Sequence, residues 1–150
     1  MKNLFKHTYD VKLDWLEGKT GILKSDILDD NFEVATPPEF PGGIEGKWSP
    51  EHLFVASVSS CFMTTFTAIA EYSKLSFSEL SVPASGTLSN ESGKFLITEI
   101  ILRPKLVITD HKQKEKALRI IEKAEEACLI SSSINSNVVL EPEVLTTEPV

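Results

Sequence analysis

Apolar and polar residues alternate strictly near the start of the chain. Phe5, His7, Tyr9, Val11, Leu13 and Trp15 are interleaved with Lys6, Thr8, Asp10, Lys12 and Asp14. A period of two belongs to a strand with one covered face, so the pattern predicts a half-buried strand over about residues 4–15. Glu17-Gly18-Lys19-Thr20-Gly21 supplies turn chemistry, and Ile22 to Lys24 opens a hairpin partner. Residues 31–36 read as a third short strand. Pro37, Pro38, Pro41, Gly42, Gly43 and Gly46 then punctuate an irregular, proline-stiffened loop.

The period changes at Ser49. Serine is a good N-cap, and Pro50 fits the first helical position, where a missing N–H costs nothing. The helix is predicted to run to about Tyr72 and is apolar or small on nearly all sides, as a buried central helix must be. Ser57, Cys61, Thr64 and Ala68 form a narrow stripe of small side chains that lets another backbone approach closely. Residues 53–70 carry no charge and approach membrane length. They include the hydroxyls Ser57, Ser59, Ser60, Thr64, Thr65 and Thr67, which favours a core helix over a spanning one. Strand patterns return at about 76–88 and 95–109, joined by a turn at Ser89-Asn90-Glu91-Ser92-Gly93. Asp110 can cap a second helix to about Cys128, with Ala117, Ile121, Ala124 and Cys128 as its apolar stripe opposite Lys114, Arg119, Glu122, Lys123 and Glu126. A last strand covers about 137–145, where Pro142 marks an edge or a bend. The order βββ-α-ββ-α-β is that of an α+β protein, and 150 residues suit a single domain.

Composition narrows the function by exclusion. A formal charge of −7 with no basic cluster disfavours attraction to nucleic acid or to anionic membranes. The first residues lack the apolar region of a signal peptide, so the expected compartment is the cytoplasm. A transient catalytic disulfide is allowed there and a permanent structural one is not favoured. His7, His52 and His111 are scattered, and with two cysteines they form no zinc spacing. No phosphate-cradling loop, dinucleotide fingerprint or nucleophile elbow is present, so neither metal nor cofactor is expected.

That leaves Cys61 and Cys128, each on the inner face of a different predicted helix. If the two thiols meet, one thiolate can attack a peroxide and the other can resolve the product. Apolar surroundings raise a thiol's pKa and make it inert, so a reactive Cys61 needs a cation or hydrogen-bond donor beside it. Glu51, second in its helix, favours the helix dipole by its position alone. Ten residues of straight helix would separate it from Cys61 by about 15 Å of rise. A Glu51 that serves a thiolate must therefore serve the one on another subunit.

Three segments resemble the OsmC/Ohr family, the osmotically inducible and organic hydroperoxide resistance proteins. They are Pro41-Gly42-Gly43 followed by Ser49-Pro50-Glu51-His52-Leu53-Phe54, then Ala56 to Cys61-Phe62, and then Cys128-Leu129-Ile130-Ser131. The resemblance implies an OsmC-like fold and an intertwined homodimer with two sites at the subunit interface. It implies that Cys61 is the peroxidatic cysteine, that Cys128 is the resolving one, and that Glu51 orients an activating arginine. That arginine usually stands in a Gly-Arg-x-Gly turn, whereas here the turn reads Gly18-Lys19-Thr20-Gly21, and Lys19 offers a point charge without the bidentate fork. The residue after the resolving cysteine is often proline and here is Leu129. The implied activity is reduction of organic hydroperoxides, with an external dithiol of lipoyl type as reductant. Phe54, Phe62 and Phe66 are candidates for receiving an alkyl chain, although core packing is the favoured reading of each. The rival is a non-catalytic dimer that binds an apolar small molecule at the subunit interface, and Lys19 is the feature that favours it.

Overall fold

Three antiparallel strands open the fold: β1 (Lys12–Glu17), β2 (Thr20–Lys24) and β3 (Phe32–Ala35), in the order β1-β2-β3. The structure is a computed structural model that describes residues 4–147. Gly18 makes the first turn with φ of 53°, a left-handed conformation that glycine adopts at no steric cost. The first strand is shorter than its alternation predicts. Lys12 faces Lys24, the last residue of β2, so residues 4–11 have no ladder partner in this sheet. Just beyond the ladder, the Ser25 hydroxyl donates to the Asp10 carbonyl at 2.8 Å. The expected half-burial is also absent, because all six residues of β1 are exposed. Alternation marks a face fit to be covered, and this chain does not cover it.

Helix α1 (Pro50–Tyr72) starts where the cap signal places it, with the Ser49 hydroxyl accepting the His52 N–H at 3.1 Å. Its fully buried residues are Val58, Phe62, Phe66 and Ala70, one per turn. The sequence predicts burial on nearly all sides, but the chain itself covers this one stripe, and Met63, Thr64 and Ala68 are exposed. By length and hydropathy α1 is also long and apolar enough to cross a membrane. Here its buried stripe is part of a protein core.

Six strands and two helices complete the fold. In chain order they are β4 (Phe77–Ser81), β5 (Ala84–Ser89), β6 (Leu96–Leu102), β7 (Lys105–Ile108), a 3₁₀ turn (His111–Gln113), α2 (Lys114–Glu126), α3 (Leu129–Ser132), β8 (Asn137–Leu140) and β9 (Glu143–Thr146). Each long strand expected from the sequence is two strands. The breaks fall at Pro83, Pro104 and Pro142, where the ladder loses an N–H donor. At each break the chain passes between two three-stranded sheets, β4-β7-β9 and β5-β6-β8. The breaks are tied to one another: Arg103 N–H reaches the Pro83 carbonyl at 2.9 Å, and Glu143 N–H reaches that of Pro104 at 2.9 Å. The β6–β8 and β7–β9 pairs are parallel, so a crossover connection is required, and it contains α2. Asp110 caps the 3₁₀ turn by accepting the Lys112 N–H at 3.0 Å. The second helix therefore begins slightly late, and it ends before Cys128 rather than at it.

The chain divides into two compact units, Met1–Leu53 and Phe54–Val150. The core of the second joins Val58, Phe62 and Phe66 of α1 to Ile100, Leu102, Leu106 and Ile108 of the strands and to Ala117, Ile120, Ile121 and Ala124 of α2. Phe62 and Phe66 stack at 6.0 Å and are fully buried, and Phe54 packs against the same cluster. Core packing is thus the role the structure gives these phenylalanines.

Candidate active site

Cys61 immediately precedes the buried Phe62, so its side chain lies at the edge of the inward stripe and is half-buried. The inner stripe of α2, Ala117, Ile121 and Ala124, continues to Cys128, which is fully buried. Between them the chain turns sharply: Ala127 N–H donates to the Lys123 carbonyl at 2.9 Å, and Cys128 N–H to that of Glu125 at 3.2 Å. Cys128 is then the N-cap residue of α3, with an extended backbone at φ −67° and ψ 111°. This turn carries the Cys128 thiol close enough to Cys61 for each to shift the other's pKa. The first turn of α3 has N–H groups with no partner inside the helix, as every helix start does. Those of Leu129 and Ile130 face the Cys61 sulfur. Thr65 Oγ1, one turn along α1, lies 3.9 Å from it. Of the small-residue stripe, Cys61 meets another backbone, the start of α3, while Thr64 and Ala68 are exposed.

The two thiols are driven in opposite directions. Burial pushes the Cys61 pKa up. The Cys128 thiol, the Ile130 N–H, the Thr65 hydroxyl and the Leu129 N–H outweigh burial together and leave it below the ordinary thiol value. Burial likewise raises Cys128, and the Cys61 sulfur beside it raises it further. Ser131 opposes this in part through its hydroxyl and its N–H. The arrangement favours a thiolate on Cys61 and a proton on Cys128. All the donors that stabilise the thiolate are neutral. Both cysteines are free thiols.

The other two expected residues belong to the first unit. Lys19 Nζ donates to the Pro41 carbonyl at 2.5 Å, and its stem packs so closely on Gly42 that a Cβ there would lie 3.0 Å from Lys19 Cδ. Glu51 Oε1 is buried and has no hydrogen-bond partner among the described residues. Lys19 and Glu51 do not pair with each other, so the Lys19 ammonium holds a loop carbonyl. Ser49 Oγ lies 2.7 Å from His52 Nδ1, but Ser49 is fully buried as the cap of α1, and no substrate can reach it as a nucleophile. Among the described residues no cluster of three metal-ligating side chains exists.

Two residues beside the thiols escaped the sequence reading. Burial raises the Glu125 carboxyl above its ordinary value, and Ser131 offsets this only in part. The available signal was spacing, since Glu125 and Ser131 stand one helical turn before and after Cys128.

A family model described as OsmC-like protein matches residues 42–143, a span that holds Glu51, Cys61 and Cys128 and leaves Lys19 outside. The chain belongs to the OsmC-like family. The uncharacterized protein YmaD of Bacillus subtilis is 30% identical to this OsmC-like chain over 142 residues, covering 91% of this chain and 93% of that protein. The organic hydroperoxide resistance protein-like 2 of Staphylococcus saprophyticus is 27% identical over 146 residues, covering 94% and 98%. Among solved structures, an OsmC-like protein of unknown function from Vibrio cholerae matches with a TM-score of 0.82 at 23% identity, covering 91% of this chain and 99% of that one. The α+β OsmC-like fold expected from the resemblance is the fold observed.

Proposed function

We propose that this OsmC-like protein is a cytoplasmic thiol-dependent peroxidase that reduces organic hydroperoxides, with residues 1–150 acting as one domain in a homodimer. The observation that carries the reading is the juxtaposed pair of free thiols, with Cys61 shifted toward thiolate and Cys128 toward thiol. A thiolate is the nucleophile in such chemistry, and a protonated neighbour is held ready for the next step. The Cys61 thiolate attacks the distal oxygen of the hydroperoxide, the O–O bond breaks, and the alkoxide leaves as alcohol after taking a proton. Cys61 is then a sulfenic acid. Cys128 displaces its hydroxyl as water, forming the Cys61–Cys128 disulfide, and an external dithiol, by family resemblance a lipoyl-type one, returns both thiols by exchange. The name of the staphylococcal relative supports organic hydroperoxides as the substrate class.

Glu51 enters this reading as a residue supplied by the partner subunit, on the spacing argument made from the sequence, and Lys19 enters it from the resemblance, at the place of the family arginine. The orphaned carboxylate oxygen of Glu51 supports a role that the single chain does not complete. Fully reduced protein mixed with cumene hydroperoxide and with hydrogen peroxide, followed by counting free thiols, tests the proposal. The expected result is rapid loss of both thiols, faster with the organic peroxide, and no rapid reaction in Cys61→Ser. Loss no faster than that of a free thiol would refute it.

One observation favours a second reading, a non-catalytic dimer that holds an apolar small molecule at the subunit interface. Lys19 is already bound to the Pro41 carbonyl and carries no carboxylate partner among the described residues. This reading predicts slow thiol loss, and saturable binding of an apolar probe that survives in Cys61→Ser.

A further inference from the structure

The two sulfurs do not account for a buried polar pair beside them. Glu125 Oε2 and Ser131 Oγ are both closed off from solvent, and neither has a hydrogen-bond partner among the described residues. An orphaned buried group typically costs about 1–3 kcal/mol, so two in one place call for a use. The backbone sets both against Cys128. The Glu125 carbonyl accepts the Cys128 N–H at 3.2 Å, and Ser131 is the third residue of the short helix that Cys128 caps. The Ser131 hydroxyl is near enough to act on both the Cys128 thiol and the Glu125 carboxylate. Neither approach is a formed hydrogen bond, since both oxygens remain unpartnered. The order is Cys128 Sγ, Ser131 Oγ, Glu125 carboxylate.

Resolution of a sulfenic acid requires Cys128 to lose its proton, and its surroundings hold that proton on. We propose that Ser131 and Glu125 form a proton relay that deprotonates Cys128 as it attacks oxidised Cys61. The proposal rests on the thiol-peroxidase reading, with an organic hydroperoxide as the oxidant that forms the Cys61 sulfenic acid. In the step, the Cys128 S–H proton passes to Ser131 Oγ while the Ser131 hydroxyl proton passes to Glu125. The S–S bond forms, the S–O bond of Cys61 breaks, and the leaving hydroxide takes a proton from solvent to become water, while Glu125 returns the proton it received to solvent. Cys128 sulfur is oxidised and Cys61 sulfur is reduced. Run backwards during reduction by the dithiol, the same relay protonates Cys128 as it leaves.

A mixed disulfide tests the relay without peroxide. Ellman's reagent attaches thionitrobenzoate to Cys61 with one release of the chromophore, and attack by Cys128 gives the second. The relay predicts that Glu125→Gln and Ser131→Ala each lower the ratio of second to first release rate at pH 7 by roughly tenfold or more, within the usual range for acid–base assistance. Glu125→Asp should recover part of the loss, which a purely structural role would not allow. Ratios within about twofold of wild type in both variants would overturn the relay. Ser131→Ala removes one oxygen and carries the test by itself if Glu125→Gln does not fold. Cumene hydroperoxide separates the two ideas. A wild type inert to it, with the release ratio still falling in the variants, overturns the peroxidase and keeps the relay. A reactive wild type with unchanged variants does the opposite.

Discussion

Burial among apolar side chains raises a thiol's pKa, and four neutral donors turn the Cys61 shift the other way. The burial of Cys128 was legible as an extension of the α2 stripe, whereas Cys61 stands at the edge of the buried stripe of α1 and not within it. Their meeting was not legible, since it depends on the tight turn at Ala127 that no periodicity encodes. Glu125 was missed because charged residues on an amphipathic helix read as solvated, and its neighbours Glu122 and Glu126 are indeed exposed. Its titration has a testable consequence. Burial raises the folded-state pKa above the ordinary 4.5 of the unfolded chain. The native state then binds more protons in the interval between the two values, so stability falls as pH rises through the folded pKa. Glu125→Gln should match or exceed the wild-type melting temperature at pH 7, and the gap should close on acidification below the unfolded pKa. A variant less stable than wild type at pH 7 would contradict this.

Patterns that specify whole elements were read well, and patterns that end them less so. The cap at Ser49 and the buried stripe of α2 follow from period and local chemistry. The three long strands came out as six because their apolar runs continue across Pro83, Pro104 and Pro142, and only the last proline was read as a bend. Helix α3 illustrates what a short element can do. Leu129 occupies its first position, keeps an N–H aimed at Cys61, and exposes most of its side chain. Leu129→Pro deletes that donor at a position where proline is tolerated, after a residue whose ψ of 111° already suits a following proline. The fold should survive. Alkylation of Cys61 by iodoacetamide at pH 7 should slow by roughly two- to tenfold, the worth of one hydrogen bond of about 0.5–1.5 kcal/mol. An unchanged rate would show that the Leu129 N–H adds nothing to the thiolate.

On the scale of the whole molecule, the first unit presents Phe5, Tyr9, Leu13 and Trp15 to solvent, with Trp15 73% exposed. Large apolar side chains left exposed along one segment are a common mark of an interface. The homodimer proposed above accounts for it. Sedimentation at micromolar concentration should give twice the chain mass, and Trp15→Asp should shift the population toward monomer and lower peroxide reduction with it. A wild type that sediments as a monomer would remove the reason to place Glu51 on a partner.

The parallel pairings set the timing of folding as well as the topology. Ile100 pairs with Val138 and Leu106 with Val144, partners far apart in the chain. The segment that carries Cys128 lies inside the loops these pairings close, and such distant contacts form late. Until they form, nothing holds the start of α3 against Cys61, and its thiol keeps the ordinary pKa of an unfolded chain. A nascent molecule meeting oxidant is therefore no more vulnerable than any other cysteine-bearing peptide. In the peroxidase proposed above, reactivity is acquired late in maturation, when the proposed resolving thiol is already in place.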